Sequence, residues 1–333
     1  MRLRVGLDVS PLALTRAGAA RYIESLVAAL PDHEVEVRRY GFRGSSRALA
    51  PVRDVGWYLA ALPLRAGLDG ADVLHCPTHR APIRSRVPLV VTLHDIAVLR
   101  HPELFNRWTR EYSRVVLPAV ARAARRVIAA SEFTRRELLD VLHVPDEKIR
   151  VIPHAVGPPF VAEGEAAAGD YVLAVGTLEP RKNLEPLVAG FEGAGLDGSH
   201  LLVAGMRGWG EVDVSGDRIR RLGFVPDDEL ARLYRGARCV AYLSAYEGFG
   251  LPLLEAMACG APVVAADAGS APEVTGGAAV LVDPLDPDAI AAGLLEAVER
   301  SGELRALALE RARSFDWDTV ARAALDVYRE AAA

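Results

Sequence analysis

The stretch Ser244–Val264, SAYEGFGLPLLEAMACGAPVV, constrains the fold more than any other part of the chain. The apolar run CVAYLS (Cys239–Ser244) leads into it as a strand. A loop with Gly248 and Gly250 follows. The next helix opens near Leu251–Pro252, carries Leu253, Leu254, Met257 and Ala258, and stops at Gly260. Proline near the start and glycine just past the end is the usual polarity of a helix. A second apolar strand, Pro262–Ala266, comes next. Two apolar strands joined through one helix make a βαβ crossover, which requires parallel strands in a sheet covered on both faces. Its loop carries Glu247 and its helix Glu255, at the end where parallel sheets take ligands.

The same alternation runs along the whole chain. Strand-like runs fall at 3–9, 34–40, 72–76, 88–95, 126–131 and 148–153, with helical runs between them, the longest from about Phe105 to Ala124. The stretch Gly157–Asp170 is rich in Gly, Pro and small residues without periodicity and reads as a linker. Alternation restarts at Tyr171–Gly176 and continues through 200–205, 218–223, 239–244, 262–266 and 278–284. A chain of 333 residues is too long for one ordinary core and fits two domains. The expectation is α/β: two doubly wound parallel-sheet domains, residues 1–156 and 171–315, joined by the linker 157–170. The cleft they face is the default ligand site.

Composition narrows the function classes. The chain is 51% hydrophobic and 25% charged, and no charge-free apolar run reaches the roughly 18 residues of a membrane span. The first residues enter a strand pattern directly, so no signal peptide is expected. Cys76, Cys239 and Cys259 lie far apart, which suits reduced thiols in a cytosolic protein better than a disulfide or a metal site. The net charge of −5 hides an asymmetry, because Arg and Lys are in excess over the first 160 residues and Asp and Glu over the rest. A basic half suits an anionic acceptor or a membrane surface, although arginines on solvated faces explain it equally well.

Several residues could carry chemistry. Arg181 and Lys182 follow the strand ending at Gly176, just before a helix that begins near Asn183. A helix N-terminus disfavours cations, so two of them there point to a bound anion such as a diphosphate. Glu247 and Glu255 could be a general acid and base, or ligands for sugar and ribose hydroxyls. Glu255 alone would also suit the helix dipole. The backbone N–H groups of Phe249, Gly250 and Leu251 form a second phosphate cradle. His94 and Asp95 end the strand PLVVTLHD, and Gly18 precedes the first helix. On the helical run 105–124, Arg107, Arg110 and Arg114 share a face, with Trp108 and Tyr112 nearby and Arg122, Arg125 and Arg126 beyond. This is either a solvated amphipathic surface or a peripheral contact with the inner face of a membrane.

Together these pieces resemble a known family. TRAGAARY, TLHD, ASEFTRREL, IRVIPHAV, VGTLEPRKN, LGFVPDDELARLY, YEGFGLPLLEAMACGAPVV, GSAPEV and FDW occur in the order seen in the retaining nucleotide-sugar glycosyltransferases of glycosyltransferase family four. The resemblance implies the GT-B fold, two Rossmann-like domains across a cleft, with a helix over 316–333 that returns to the first domain. It implies a nucleotide-sugar donor and no metal or other cofactor. It places Arg181 and Lys182 on the diphosphate, Glu255 on the ribose, and Glu247 and His94 by the transferred sugar. Phe249, Gly250 and Leu251 would meet sugar and phosphate through their backbone. Val225 would lie by the base, and Gly176 and Gly18 near the donor.

Three features depart from the family pattern. Ala20 stands where a second glycine is common, the usual I-P-N-G-V is here Ile152-Pro153-His154-Ala155-Val156, and the first domain is short. A short first domain favours a small or lipid-linked acceptor. The implied activity is transfer of a hexose, mannose before others, from GDP-mannose or a UDP- or dTDP-sugar to a hydroxyl, with anomeric retention. Alternatives on the same fold are a nucleotide-sugar epimerase and a non-catalytic nucleotide-sugar binding protein.

Overall fold

The computed structural model describes residues 2–14, 18–30, 35–44, 46, 49–208 and 210–333. It divides into one unit of Met1–His154 with Trp317–Ala333, and a second of Ala155–Asp316.

In the first unit, β1 (Leu3–Asp8), α1 (Gly18–Ala29) and β2 (Val35–Tyr40) are followed by a π-type helical segment, Val52–Ala61, which runs on into α2 (Leu62–Leu68). Next come β3 (Val73–Cys76), β4 (Leu89–Leu93), α3 (Ala97–Arg100), α4 (Arg107–Ala123), β5 (Arg126–Ala129), α5 (Glu132–Leu142) and β6 (Ile149–Val151). All six strands are parallel, in the order β2-β1-β3-β4-β5-β6. Every residue of β3 and β4 is buried, which explains their largely apolar sequence; the exceptions, His75 and Thr92, bond to each other. Caps set the helix starts: Asn106 accepts from Thr109 N at 3.0 Å for α4, and Ser131 from Thr134 N at 2.9 Å for α5.

The second unit holds β7 (Tyr171–Val175), α6 (Leu184–Gly193), β8 (His200–Ala204), β9 (Ile219–Gly223), α7 (Asp227–Gly236) and β10 (Cys239–Tyr242). These are followed by α8 (Leu251–Ala258), β11 (Val263–Ala266), α9 (Ala271–Thr275), β12 (Val280–Val282), α10 (Pro287–Glu299) and α11 (Ser301–Ala312). Its strands are also parallel, ordered β12-β11-β10-β7-β8-β9, so the order reverses between β7 and β10. A reversal of this kind opens a crevice beyond the strands' carboxyl ends. The edge strand β9 carries exposed Arg220 and Arg221, which discourage further pairing. Segment 157–170 has no helix or strand. It is held to α7 by Phe160, edge-on to Tyr234 at 6.0 Å, and by Arg235, whose guanidinium donates to the Val161 and Glu165 carbonyls.

The last helix, α12 (Trp317–Ala332), belongs to the first unit, as the resemblance implied. The Tyr328 hydroxyl lies 2.8 Å from His75 Nδ1, and Glu330 pairs with Arg126 and Arg150 at 2.9 and 2.7 Å. Arg126 therefore belongs to β5 and this pairing rather than to the basic face of α4. Trp108 Nε1 and the Tyr112 hydroxyl both donate to Asp54, at 3.1 and 3.3 Å, tying α4 to the π-type segment. Among the described residues no helix is long and apolar enough to cross a membrane.

Space requires glycine at position 205, as it does at Gly236, where a Cβ would sit 2.1 Å from the Ala167 carbonyl oxygen. A Cβ on Gly205, just after β8, would sit 1.8 Å from the Gly176 carbonyl oxygen, at the end of β7. Backbone cannot give way as a side chain can. Gly205→Ala should therefore lower the unfolding free energy by about 3 kcal/mol or more. A denaturant midpoint unchanged from wild type would contradict that packing.

Candidate functional site

The chain reversal between β7 and β10 brings two loops together. After β7, Pro180–Lys182 form a 3-10 turn, and Asn183 takes the left-handed conformation (φ 51°) before α6. Asn183 Nδ2 donates to the Leu243 carbonyl at 2.8 Å, and Ala245 N donates to the Arg181 carbonyl at 3.0 Å. These bonds lock the turn carrying Arg181 and Lys182 onto the exit of β10, where Glu247 lies.

Glu247 Oε1 is the meeting point. It accepts from Arg181 Nη1 at 2.5 Å, Lys182 Nζ at 2.5 Å and Ser244 Oγ at 2.8 Å. Arg181 Nε also donates to Glu179 at 2.9 Å, and Lys182 Nζ to the Tyr242 hydroxyl at 3.1 Å, over whose ring it sits. Ser270 donates from Oγ to the Glu247 carbonyl at 3.0 Å, fixing the backbone below the carboxylate. Burial opposes both charges. It pushes the Lys182 ammonium below its ordinary range despite Glu247. On Glu247, burial pushes the carboxyl up, but Lys182, Arg181 and the hydrogen bonds together outweigh it and hold it below the ordinary range. The group is thus ionised at neutral pH, its charge shared by two cations.

Glu255 lies on α8 and is only 2% exposed. The Tyr234 hydroxyl of α7 donates to its Oε2 at 3.2 Å. A carboxylate this deep does more than complement a helix dipole from solvent. Gly250 takes the left-handed region (φ 88°) at the N-cap of α8, between Phe249 and the first helical residue, Leu251. Phe249 packs edge-on to Phe315 at 5.8 Å. Gly176 closes β7 beside the Lys182 side chain, and Val225 lies between β9 and α7. The second unit thus brings Arg181, Lys182 and Glu247 into direct contact and puts Glu255 on the helix that follows.

The first unit places His94 immediately after β4. Its Nε2 lies 2.9 Å from the Pro77 carbonyl and its Nδ1 3.0 Å from His154 Nε2. Gly18 opens α1, and residues 15–17 of the loop before it lie outside the described residues. Tyr22 of α1 packs on both imidazoles, at 5.1 Å from His94 and 4.8 Å from His154. Thr92 joins this group to His75, whose Nε2 it meets at 2.8 Å.

These histidines make stability pH-dependent. Burial pushes His75 down to about 3 from the ordinary 6.5, and pushes His94 and His154 in the same direction. The unfolded chain binds these protons more readily, so their contribution is full above about pH 6.5 and is lost as pH falls. His75 alone should cost about 1.4 kcal/mol per pH unit below that point. Asp8, pushed up to about 6 by burial, works in the opposite sense but is one group against three. The denaturant midpoint should therefore drop between pH 7.5 and 5.5; an unchanged or higher midpoint at pH 5.5 would contradict the buried neutral cluster.

Sequence reading missed several members of the sites, Tyr234 and Thr92 among them. Glu179 and Ser244 flank the motif residues and could have been found as polar neighbours of Arg181 and Glu247. Tyr242 reads as an ordinary apolar strand residue. His154 stood out only as a departure from a pattern.

The comparisons agree on one family. The model for "Glycosyltransferase Family 4" matches residues 14–158, and that for "Glycosyl transferases group 1" residues 169–300. The chain is similar to O-antigen chain mannosyltransferase B of Escherichia coli, 33% identical over 283 residues that cover 77% of this chain and 74% of that protein. It is also similar to the D-inositol 3-phosphate glycosyltransferase of Acidothermus cellulolyticus, 29% identical over 91% of this chain and 74% of that one. Among solved structures, sucrose-phosphate synthase from Thermosynechococcus elongatus superposes with a TM-score of 0.79 at 20% identity, over 98% of each chain. Anabaena HepE in complex with UDP-glucose does so with a TM-score of 0.74 at 21% identity, over 98% of this chain and 99% of that one.

Proposed function

Because the chain belongs to glycosyltransferase family 4 and has the GT-B fold, we propose that it moves a hexosyl group from a nucleotide-diphosphate sugar to a hydroxyl acceptor with retention at the anomeric carbon. Mannose is the favoured sugar, as GDP-mannose, since a relative named as a mannosyltransferase is 33% identical. UDP- and dTDP-sugars are the other candidates, and HepE was solved with UDP-glucose.

The observation that carries this reading is the convergence of Arg181, Lys182 and Glu247 at the reversal of the second sheet. Arg181 and Lys182 take the diphosphate, and Glu255 takes the ribose hydroxyls. Glu247 takes hydroxyls of the transferred sugar, with the backbone from Phe249 to Leu251. Val225 lies by the base, Gly176 and Gly18 near the phosphates, and His94 by the sugar. Glu247 is a poor nucleophile, because two cations and a hydroxyl bonded to Oε1 draw charge from the whole carboxylate. Retention then follows from attack on the face the donor leaves. The acceptor oxygen bonds to the anomeric carbon, the bond from that carbon to the diphosphate breaks, and the acceptor proton passes to the departing phosphate oxygen. The developing charge on the diphosphate is met by fixed cations and backbone dipoles, with no resident metal.

The test is incubation with a panel of nucleotide sugars and with simple and lipid-linked sugar acceptors, read by nucleoside diphosphate release and by the anomeric proton of the product. One donor should be consumed with its anomeric configuration kept, and chelation of divalent cations should leave the rate unchanged. Inversion, or epimerised donor without transfer, would overturn the reading.

A further inference from the structure

The first unit carries a second pair of directly bonded titratable groups, His94 and His154, whose rings lie 4.9 Å apart and 61° to each other. Geometry fixes one proton position outright and, for a neutral His94, the other as well. The Pro77 oxygen can only accept, so His94 Nε2 carries a hydrogen and donates it at 2.9 Å. In a neutral ring Nδ1 is then bare, and His154 Nε2–H donates to it at 3.0 Å. His154 is itself 4% exposed and packs against Tyr22 of α1 and His94, and Tyr22 also meets Trp317 of α12 at 5.9 Å. The other titratable groups facing the pair are His75 of β3, His79 after it and Asp95 beside His94. From α5, the Thr134 hydroxyl donates to the His94 carbonyl at 3.0 Å.

We propose that His154 is a positioning residue for His94, holding its imidazole neutral, in the Nε2–H form and in one orientation. Both ring nitrogens are committed, so His94 serves as a fixed uncharged group and not as an acid or base. This rests on the reading that His94 lies by the transferred sugar, where a neutral ring has a clear advantage. The anomeric carbon gains positive charge as the diphosphate leaves, and an imidazolium beside it would raise the barrier. A hydrogen bond to bare Nδ1 favours the neutral ring over the protonated one. Burial of the ring acts in the same direction.

Nitrogen-15 NMR of the histidine rings, together with His154→Gln and His154→Leu, tests the proposal. Glutamine keeps an N–H at a similar reach; leucine does not. In the wild type His94 should be neutral at pH 7 with its hydrogen on Nε2. In His154→Gln that signature and the rate should persist. In His154→Leu, kcat should fall about tenfold with donor KM nearly unchanged, and its acid limb should move to higher pH. A wild-type His94 that is charged or carries its hydrogen on Nδ1 overturns the proposal. So does a glutamine variant that keeps the ring signature yet loses as much kcat as the leucine variant. The NMR signature needs no turnover, so absence of any transfer by the wild type would count against the proposed activity and leave this arm to decide the ring's state.

Discussion

Lys182→Met should lower kcat/KM for the nucleotide sugar on the order of a hundredfold, about 3 kcal/mol of transition-state stabilisation. Methionine keeps most of the volume of a side chain that is only 8% exposed, so folding should survive the change. What disappears is a fixed charge at the end of a parallel strand. Lys182 Nζ is held from two sides, by the Tyr242 hydroxyl and by Glu247, and its stem packs against Gly176. A cation already oriented this way needs no reorganisation as charge develops on the leaving diphosphate, which is why its contribution exceeds that of a solvated lysine. Steady-state kinetics on donor checks it. An equal loss in kcat and kcat/KM would place the effect in the transition state, and a variant within about threefold of wild type would remove Lys182 from the reaction.

Glu247→Gln should act in two opposite directions. Without donor, Glu247 is the counter-ion of both Arg181 and Lys182. Its neutral isostere leaves two poorly solvated cations without their shared partner, so the free protein should lose about 3 kcal/mol of stability. A bound diphosphate supplies the missing charge and no longer meets a carboxylate at its own site. Free nucleoside diphosphate should therefore bind about tenfold tighter to the variant than to wild type, while transfer falls because the sugar hydroxyls lose their ligand. Thermal unfolding with and without nucleoside diphosphate, beside a rate measurement, separates the two effects. Weaker diphosphate binding in Glu247→Gln would mean that the carboxylate assists the diphosphate rather than competing with it.

Much of this architecture is legible from residue pattern because parallel strands are buried on both faces. The runs at β10 and β11 are apolar throughout and that at β4 is broken only by Thr92, and their βαβ spacing dictates a doubly wound sheet. Elements without that signature are less legible. The run WYLAALPLRAGL reads as helical and covers the π-type segment from Trp57 onward, but Val52 and Val55 are more than half exposed and hide its start, and α3 spans only Ala97–Arg100. Strand ends and glycine loops mark Arg181, Lys182 and Glu247 as candidates in the sequence, but not the way they are joined. Lys182 and Glu247 lie 65 positions apart, and nothing local says that one carboxylate oxygen serves both cations. The two glutamates, open in the sequence to acid–base work or to hydroxyl binding, are each held by other groups. Glu247 is engaged by cations and Glu255 by a tyrosine hydroxyl, and neither contacts the other among the described hydrogen bonds. His154 shows the same limit in the first unit, because its partner His94 is 60 residues away.

Calorimetric titration of the wild type and Lys182→Met with GDP, UDP and dTDP, each beside its monophosphate, tests most directly whether this is a diphosphate site. In the wild type one nucleoside diphosphate should bind at least about tenfold tighter than its monophosphate, the worth of one charge-assisted contact, and in Lys182→Met that difference should collapse. Equal affinity for diphosphate and monophosphate in the wild type, or no binding of any nucleotide, would contradict the account.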